Sequence, residues 1–230
     1  TGATDGIGKE AALTYAQQGG TVILLGRNTR KLEMVYDEID AKGSPQPAFI
    51  PLNLQSTAPE QYQQVAEVIE KEFGRLDGLL HNASDLGILS PIEHFDEETW
   101  FRVMQVNVNA TFLLTEACLP LLKNSESASI AFTSSGVGRQ GRAYWGAYAV
   151  SKFATEGMMQ VLADELETTD IIVNSINPGA TRTKMRANAY PGEDPNQLPT
   201  PQDIMPAYLW LMDIENNQQT GQAIDARNFL

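Results

Sequence analysis

The chain has 230 residues, 42% of them hydrophobic, with a formal net charge of -13 and one cysteine, Cys118. That balance excludes a disordered chain and makes nucleic acid and membrane surfaces poor partners, since both are anionic. An intrachain disulfide is impossible and no apolar run reaches the roughly 18 residues of a membrane span, so a reducing, cytoplasmic setting is expected.

Thr1-Gly2-Ala3 reads as a turn, and a helix follows through Gly8-Lys9-Glu10-Ala11-Ala12-Leu13. Residues 21–25 (TVILL) predict a buried strand and 28–42 a helix. Residues 47–51 predict a second strand, 58–73 a second helix and 76–81 (LDGLLH) a third strand. A long, mostly apolar helix is predicted over 97–123, with a break near Asn107. Residues 129–134 predict a strand, 146–167 a long helix and 171–176 (IIVNSI) another strand. A helix over 201–213 and a short strand over 222–226 complete the pattern. The stretch 190–200 (YPGEDPNQLPT), with three prolines, predicts a surface loop, and 184–200 is the expected substrate loop or lid.

Regular strand–helix alternation means parallel strands with helices on both faces. The expected fold is therefore α/β: one domain over 1–230, a Rossmann-type doubly wound parallel sheet in three α/β/α layers. Its ligand belongs at the carboxyl ends of the strands. The glycine turn of such a sheet follows a central strand, so a first strand is expected ahead of Thr1.

Gly2, Gly6 and Gly8 form TGxxxGxG at the start of a helix. Glycines let the backbone turn tightly and approach a pyrophosphate, whose charge a helix N-terminus favours. An ordinary strand-to-helix turn is the plain alternative. After the second strand-like run, an acidic residue would bind the ribose hydroxyls of NAD, whereas an arginine accommodates the 2′-phosphate of NADP. Here Gly26 stands at the acidic position and Arg27 follows, which favours NADP(H) over NAD(H). Asp5 would slightly oppose that phosphate.

Tyr148 and Lys152 are four apart on a predicted helix and so share a face. A nearby ammonium favours the phenolate and should lower the tyrosine pKa, making it a proton donor or acceptor for a carbonyl or alcohol. Ser135, just past a strand, can hydrogen-bond the reacting oxygen, and Ser134 is the alternative in that role. Asn107, mildly unfavourable inside a helix, invites a functional reason. His81 and His94, the only histidines, have no ligand partners at metal-binding spacing, so no metal is expected. Cys118, Trp210 and Met212 read as core. Trp100 and Phe101 read as packing or subunit-contact residues. Arg139, Arg142, Tyr144 and Trp145 lie between Ser135 and Tyr148; as pocket residues, the two arginines would suit a polar or acidic substrate group.

Thr1-Gly2-Ala3-Thr4-Asp5-Gly6-Ile7-Gly8, His81-Asn82-Ala83-Ser84, Asn107, Ser135, Tyr148-x-x-x-Lys152 and Pro178-Gly179-x-x-x-Thr183 occur in one order and spacing. In that set the chain resembles the classical short-chain dehydrogenases/reductases over essentially its whole length. The resemblance implies seven parallel strands and a catalytic tetrad. Tyr148 would be the acid/base and Ser135 would orient the substrate oxygen. Lys152 would bind the nicotinamide ribose and lower the tyrosine pKa, and Asn107 would hold a water in a proton relay. The implied cofactor set is Gly2, Thr4, Asp5, Gly6, Ile7, Gly8, Arg27, Asn53, Leu54, Asn82, Ala83, Tyr148, Lys152, Pro178, Gly179, Thr181 and Thr183. Within it Asn53 would meet the adenine, Asn82 would support the sheet and Thr183 would touch the carboxamide or pyrophosphate. His81 and Ser84 depart from the usual Asn-Asn-Ala-Gly, and Asn53 from a common aspartate.

The resemblance implies an NADP(H)-dependent oxidoreductase acting on a small carbonyl or alcohol, assembled as a homodimer or homotetramer on the helices 97–123 and 146–167. The competing functions are a catalytically silent dinucleotide-binding sensor with the same fold and a purely structural oligomer.

Overall fold

A computed structural model describes residues 1–55, 58–215 and 217–230. The elements run α1 (Gly6–Gln17), β1 (Ile23–Gly26), α2 (Thr29–Asp40), β2 (Ala48–Pro51), α3 (Pro59–Phe73), β3 (Gly78–His81), α4 (Glu97–Met104), α5 (Ala110–Lys123), β4 (Ala128–Thr133), α6 (Gly146–Glu165), β5 (Ile171–Asn177), α7 (Lys184–Ala189), α8 (Met205–Met212) and β6 (Ala223–Asp225). Among the described residues these six strands form a two-stranded sheet, β1-β2, and a four-stranded sheet, β3-β4-β5-β6, with parallel pairing throughout. Residues 1–3 lie between the two. The Thr1 nitrogen donates to the Leu80 carbonyl at 2.8 Å, and Ala3 N–H donates to the Leu25 carbonyl at 3.3 Å.

The side-chain alternation of a strand sorts the core into two faces. On β4, Ile130 and Phe132 join one cluster with Tyr62 and Ile69 of α3, Leu114 and Leu121 of α5, and Met159 of α6. Ala131, between them, faces a second cluster with Ala11 of α1 and Tyr208 and Leu211 of α8. A third cluster joins Leu13, Leu24 and Leu32 across α1, β1 and α2. Helices thus cover both faces, as the alternating pattern requires. Cys118 sits in the first cluster, where burial pushes its thiol up to about 12. No helix among the described residues is long and apolar enough to cross a membrane.

Two predicted elements are subdivided. The helix over 97–123 is interrupted by a π-turn at Gln105–Asn109. The expected loop over 184–200 begins as the helix α7, because Thr183 caps it by accepting from Arg186 N–H at 3.1 Å and the prolines that break helices start only at Pro191. Arg186 then ties α7 to the rest of the loop through Glu193.

His81 ends β3 with 5% of its surface exposed, stacked on Phe132 with centroids 5.0 Å apart. Its Nε2 lies 2.9 Å from the Thr115 hydroxyl, which itself donates to the Thr111 carbonyl, so the imidazole supplies the proton of this contact. Burial, helped by neighbouring positive charge, pushes the His81 pKa down to about 3. Above pH about 6.5 both the folded and unfolded states hold it neutral. Below that, the unfolded imidazole binds a proton that the folded one refuses, so stability is lost as pH falls from about 6.5 towards 3. The loss attributable to this side chain is about 1 kcal/mol between pH 7 and 5.5. Urea unfolding of wild type and His81→Asn at both pH values should show that extra loss in the wild type alone; parallel pH profiles would refute it.

Candidate active site

A cleft of about 1060 Å³ opens at the carboxyl ends of the strands. One end is the glycine turn. Gly2 and Gly6 take φ of +69° and +52°, values a side chain disfavours. A Cβ on Gly8 would stand 2.4 Å from the Gly2 carbonyl, so only glycine lets α1 start against the turn. Gly8 itself does not line the cleft: its place is at this crossing, one layer behind the wall. Asp5 caps α1, its carboxylate accepting from Gly6 N–H at 2.8 Å. At Gly26 a Cβ would lie 3.1 Å from the Thr4 methyl, a tight fit that a larger side chain would have to push apart. Arg27 and Lys31 line the cleft beside it, and neither makes an ion pair among the described residues.

The other end is built by β4 and α6. Lys152, 4% exposed, donates from Nζ to the Thr133 carbonyl at 2.7 Å. Gly138 permits that crossing, because a Cβ there would lie 2.6 Å from the Lys152 Cβ. Tyr148, 7% exposed, is one turn earlier, with the ammonium 5.6 Å from its ring centroid. The Ser135 hydroxyl is near enough to that of Tyr148 to favour its phenolate. Ser134, the alternative in that role, is buried with its hydroxyl lacking a partner among the described residues.

The electrostatics correct one expectation. Burial pushes the Tyr148 phenol up to about 12, and the Ser135 hydroxyl opposes this without reversing it. The ammonium does not bring the phenol below its ordinary value because removing the phenolate from water costs more than a charge at that distance returns. Burial also pulls Lys152 down to about 8, with the Glu156 carboxylate pulling the other way.

Asn107 has a structural part as well. Its side chain does not line the cleft. The amide nitrogen donates to the Asp85 carbonyl and the Ser151 hydroxyl, each at 2.9 Å, and the amide oxygen accepts from Asp85 N–H at 2.7 Å. The side chain clamps the loop after β3 to α6, with both amide hydrogens committed. The π-turn aims it there. Arg102 secures the same loop through Asp85 at 2.8 Å.

Arg139 and Arg142 are absent from the cleft wall, as is Tyr144. Arg139 is held by Glu156 at 3.0 Å, Asp225 at 3.1 Å and the Ile224 carbonyl at 2.9 Å. These contacts turn it beneath α6 towards β6. Arg142 donates to the Tyr190 hydroxyl at 3.0 Å. Trp145 does line the cleft.

Gly2, Thr4, Asp5, Gly6, Ile7, Arg27, Asn53, Leu54, Asn82, Ala83, Ser135, Tyr148, Lys152, Pro178, Gly179, Thr181 and Thr183 all line this one cleft. Asn82 bridges its two halves: its backbone N–H donates to the Thr1 hydroxyl at 2.9 Å, and its amide oxygen accepts from Thr133 at 3.4 Å. Thr183 and Thr181 also serve local turns, through Arg186 N–H and the Pro178 carbonyl. The sequence reading missed Lys31, Leu86, Ile88, Leu89, Met185 and Arg186. For Lys31 a signal existed, since it falls one turn past Arg27 on the following helix; the others sit on segments without periodicity.

These residues fit a phosphorylated dinucleotide. The glycine turn presents backbone with no Cβ in the way, and two cations, Arg27 and Lys31, line the same end of the cleft. The hydroxyls of Ser84 and Ser134, both on cleft-lining residues, are buried with no partner among the described residues, leaving polar atoms for a bound group to satisfy.

The family model for short chain dehydrogenases matches residues 1–194. An uncharacterized oxidoreductase of Escherichia coli K12, YciK, is 57% identical over 227 residues, 99% of this chain and 90% of that protein. Two solved short-chain dehydrogenases are each 57% identical, with a TM-score of 0.96 over 98% of this chain and 94% of theirs. One, from Shigella flexneri, is complexed with NADP, and the other, from Escherichia coli CFT073, with NADPH.

Proposed function

The chain belongs to the short-chain dehydrogenase family, and we propose that it is an NADP(H)-dependent oxidoreductase interconverting a carbonyl and an alcohol, with Tyr148 as the proton-transfer group. The observation that carries this is the gathering of Ser135, Tyr148 and Lys152 at one end of the cleft whose other end is the glycine turn. The solved relatives bound to NADP and NADPH support the cofactor. The turn from Gly2 to Ile7 would hold the pyrophosphate, and Asn53 and Leu54 the adenine. Arg27, with Lys31, would meet the 2′-phosphate, since both are uncommitted and Gly26 places no carboxylate there.

When bound, the nicotinamide supplies or accepts the hydride. Tyr148 gives its hydroxyl proton to the carbonyl oxygen as the carbon is reduced, or takes it back in oxidation. Its raised pKa keeps the phenol protonated at neutral pH, the form that reduction requires. Ser135, beside the Tyr148 hydroxyl, orients the oxygen between them. Lys152 holds a positive charge beside the phenol, favouring the phenolate left after transfer.

Phe101, Phe112 and Phe153, on α4, α5 and α6, are 70%, 53% and 46% exposed. Large apolar side chains left open on adjacent helices support a second copy of the chain packing there, as a homo-oligomer. Light scattering should return a multiple of the chain mass; a monomer at micromolar concentration would overturn this part.

Tyr148→Phe should lower NADPH-dependent reduction of a carbonyl panel by roughly 100-fold or more, with NADPH still bound. Undiminished turnover would remove Tyr148 from the chemistry. Arg27→Ala should weaken NADPH by about tenfold or more while NADH changes little; equal losses for both would refute the 2′-phosphate contact.

A further inference from the structure

The cleft changes character beyond Tyr148. Its wall there is Leu86, Ile88, Leu89, Trp145, Met185 and Pro191. Ile88 and Leu89 stay 41% and 40% exposed, so this apolar surface is open to an arriving ligand. Trp145 is set between two other rings, with centroids 5.7 Å from Tyr148 and 6.0 Å from Tyr190. Its neighbours fix it. Tyr144 takes a left-handed φ of 72° and its carbonyl accepts from Ser90 N–H at 2.9 Å. Gly146 has a φ of 36° and leaves room that a Cβ would fill 2.2 Å from the Phe95 ring. Backbone held in such conformations persists only where its surroundings enforce it, so Trp145 is placed before any ligand arrives.

Two of the charged side chains that line this end, Arg186 and Asp85, are already paired. Arg186 forms a bidentate pair with Glu193 at 2.6 and 2.7 Å, and its guanidinium lies 3.8 Å from the Tyr190 ring centroid. Arg142 is on the Tyr190 hydroxyl, Arg139 on Glu156 and Asp225, and Asp85 on Arg102. Lys184 lines the cleft without an ion pair among the described residues. It stands at the start of α7 between Thr183, whose methyl lies 3.4 Å from the Cβ position of Gly6, and Met185. A substrate carboxylate lying against Trp145 and Met185 would find Arg186 already held by Glu193 and would lose its water against an apolar wall.

We propose that the substrate is a neutral ketone, or the corresponding secondary alcohol, whose body is apolar and ring-sized or larger and lies on Trp145 and Met185. This rests on the reading of the cleft as a carbonyl/alcohol site. It replaces the acidic substrate group that Arg139 and Arg142 suggested from their position in the sequence.

The test uses 2-tetralone, a neutral bicyclic ketone, and phenylpyruvate, an anionic keto acid of similar size. NADPH oxidation should give 2-tetralone a kcat/KM at least about tenfold higher. Calorimetry with the NADP-loaded protein should show it binding more tightly by a similar factor. Trp145→Ala should raise its KM by about tenfold with kcat nearly unchanged, and Trp145→Phe should restore most of the loss. If Trp145→Ala does not fold, Met185→Lys replaces it, and should shift the preference towards phenylpyruvate. Preferred turnover of phenylpyruvate overturns the substrate class and leaves the oxidoreductase reading standing, as does failure of 2-tetralone to bind while other carbonyls are reduced. Binding of 2-tetralone at Trp145 with no carbonyl reduced does the reverse: the pocket assignment survives and the redox reading falls.

Discussion

A buried ammonium must find oxygen, and Lys152 finds it in the Thr133 carbonyl at the end of β4. That bond, allowed by the missing side chain of Gly138, sets where α6 crosses the sheet. Tyr148 lies one turn up the same helix and Ser135 two residues past the same strand, so their meeting follows from the crossing. One turn further along α6, Glu156 is also buried, and it draws in Arg139 at 3.0 Å and the Ser175 hydroxyl at 2.6 Å. Arg139 continues to Asp225, which accepts from the Asn177 amide at 2.6 Å, and Asn177 accepts from Gly179 N–H. The loop carrying Pro178 and Gly179 is thus held by the charges that hold the helix.

The phenol and the ammonium behave differently in the folded protein than their spacing suggests. Four residues on a helix place Tyr148 and Lys152 on one face, but they do not say how much water remains. Both are almost fully buried, and each moves towards its neutral form, Tyr148 upward and Lys152 downward. Desolvation outweighs their mutual attraction.

The fold was legible because hydrophobic periodicity is local information. The strand–helix alternation yields a parallel sheet with two covered faces, and each predicted strand has a counterpart within a few residues. The glycine turn, Tyr148 and Lys152 were legible for the same reason, since the chemistry lies in short spacings. Asn107 was found, but its position gave no sign that Asp85 and Ser151, distant in sequence, would take up its amide. Chain proximity to Tyr148 offered Arg139 and Arg142 as pocket candidates, whereas their partners Glu156, Asp225 and Tyr190 draw them elsewhere. The apolar wall of Leu86, Ile88, Leu89 and Met185 comes from loops and a short helix that repeat no pattern, so only three-dimensional placement reveals it.

The π-turn at Gln105–Asn109 is a matter of helical phase. A π-turn holds one residue more than the hydrogen-bond ladder of an α-helix needs. Losing that residue would return 97–123 to one regular rod and rotate one half against the other by about 100°. Either the half gripping Asp85 through Arg102 or the half packed under β4 through Leu114 would then face the wrong way. The wide turn lets a single long helix serve two directions, one towards the sheet and one towards the mouth of the cleft.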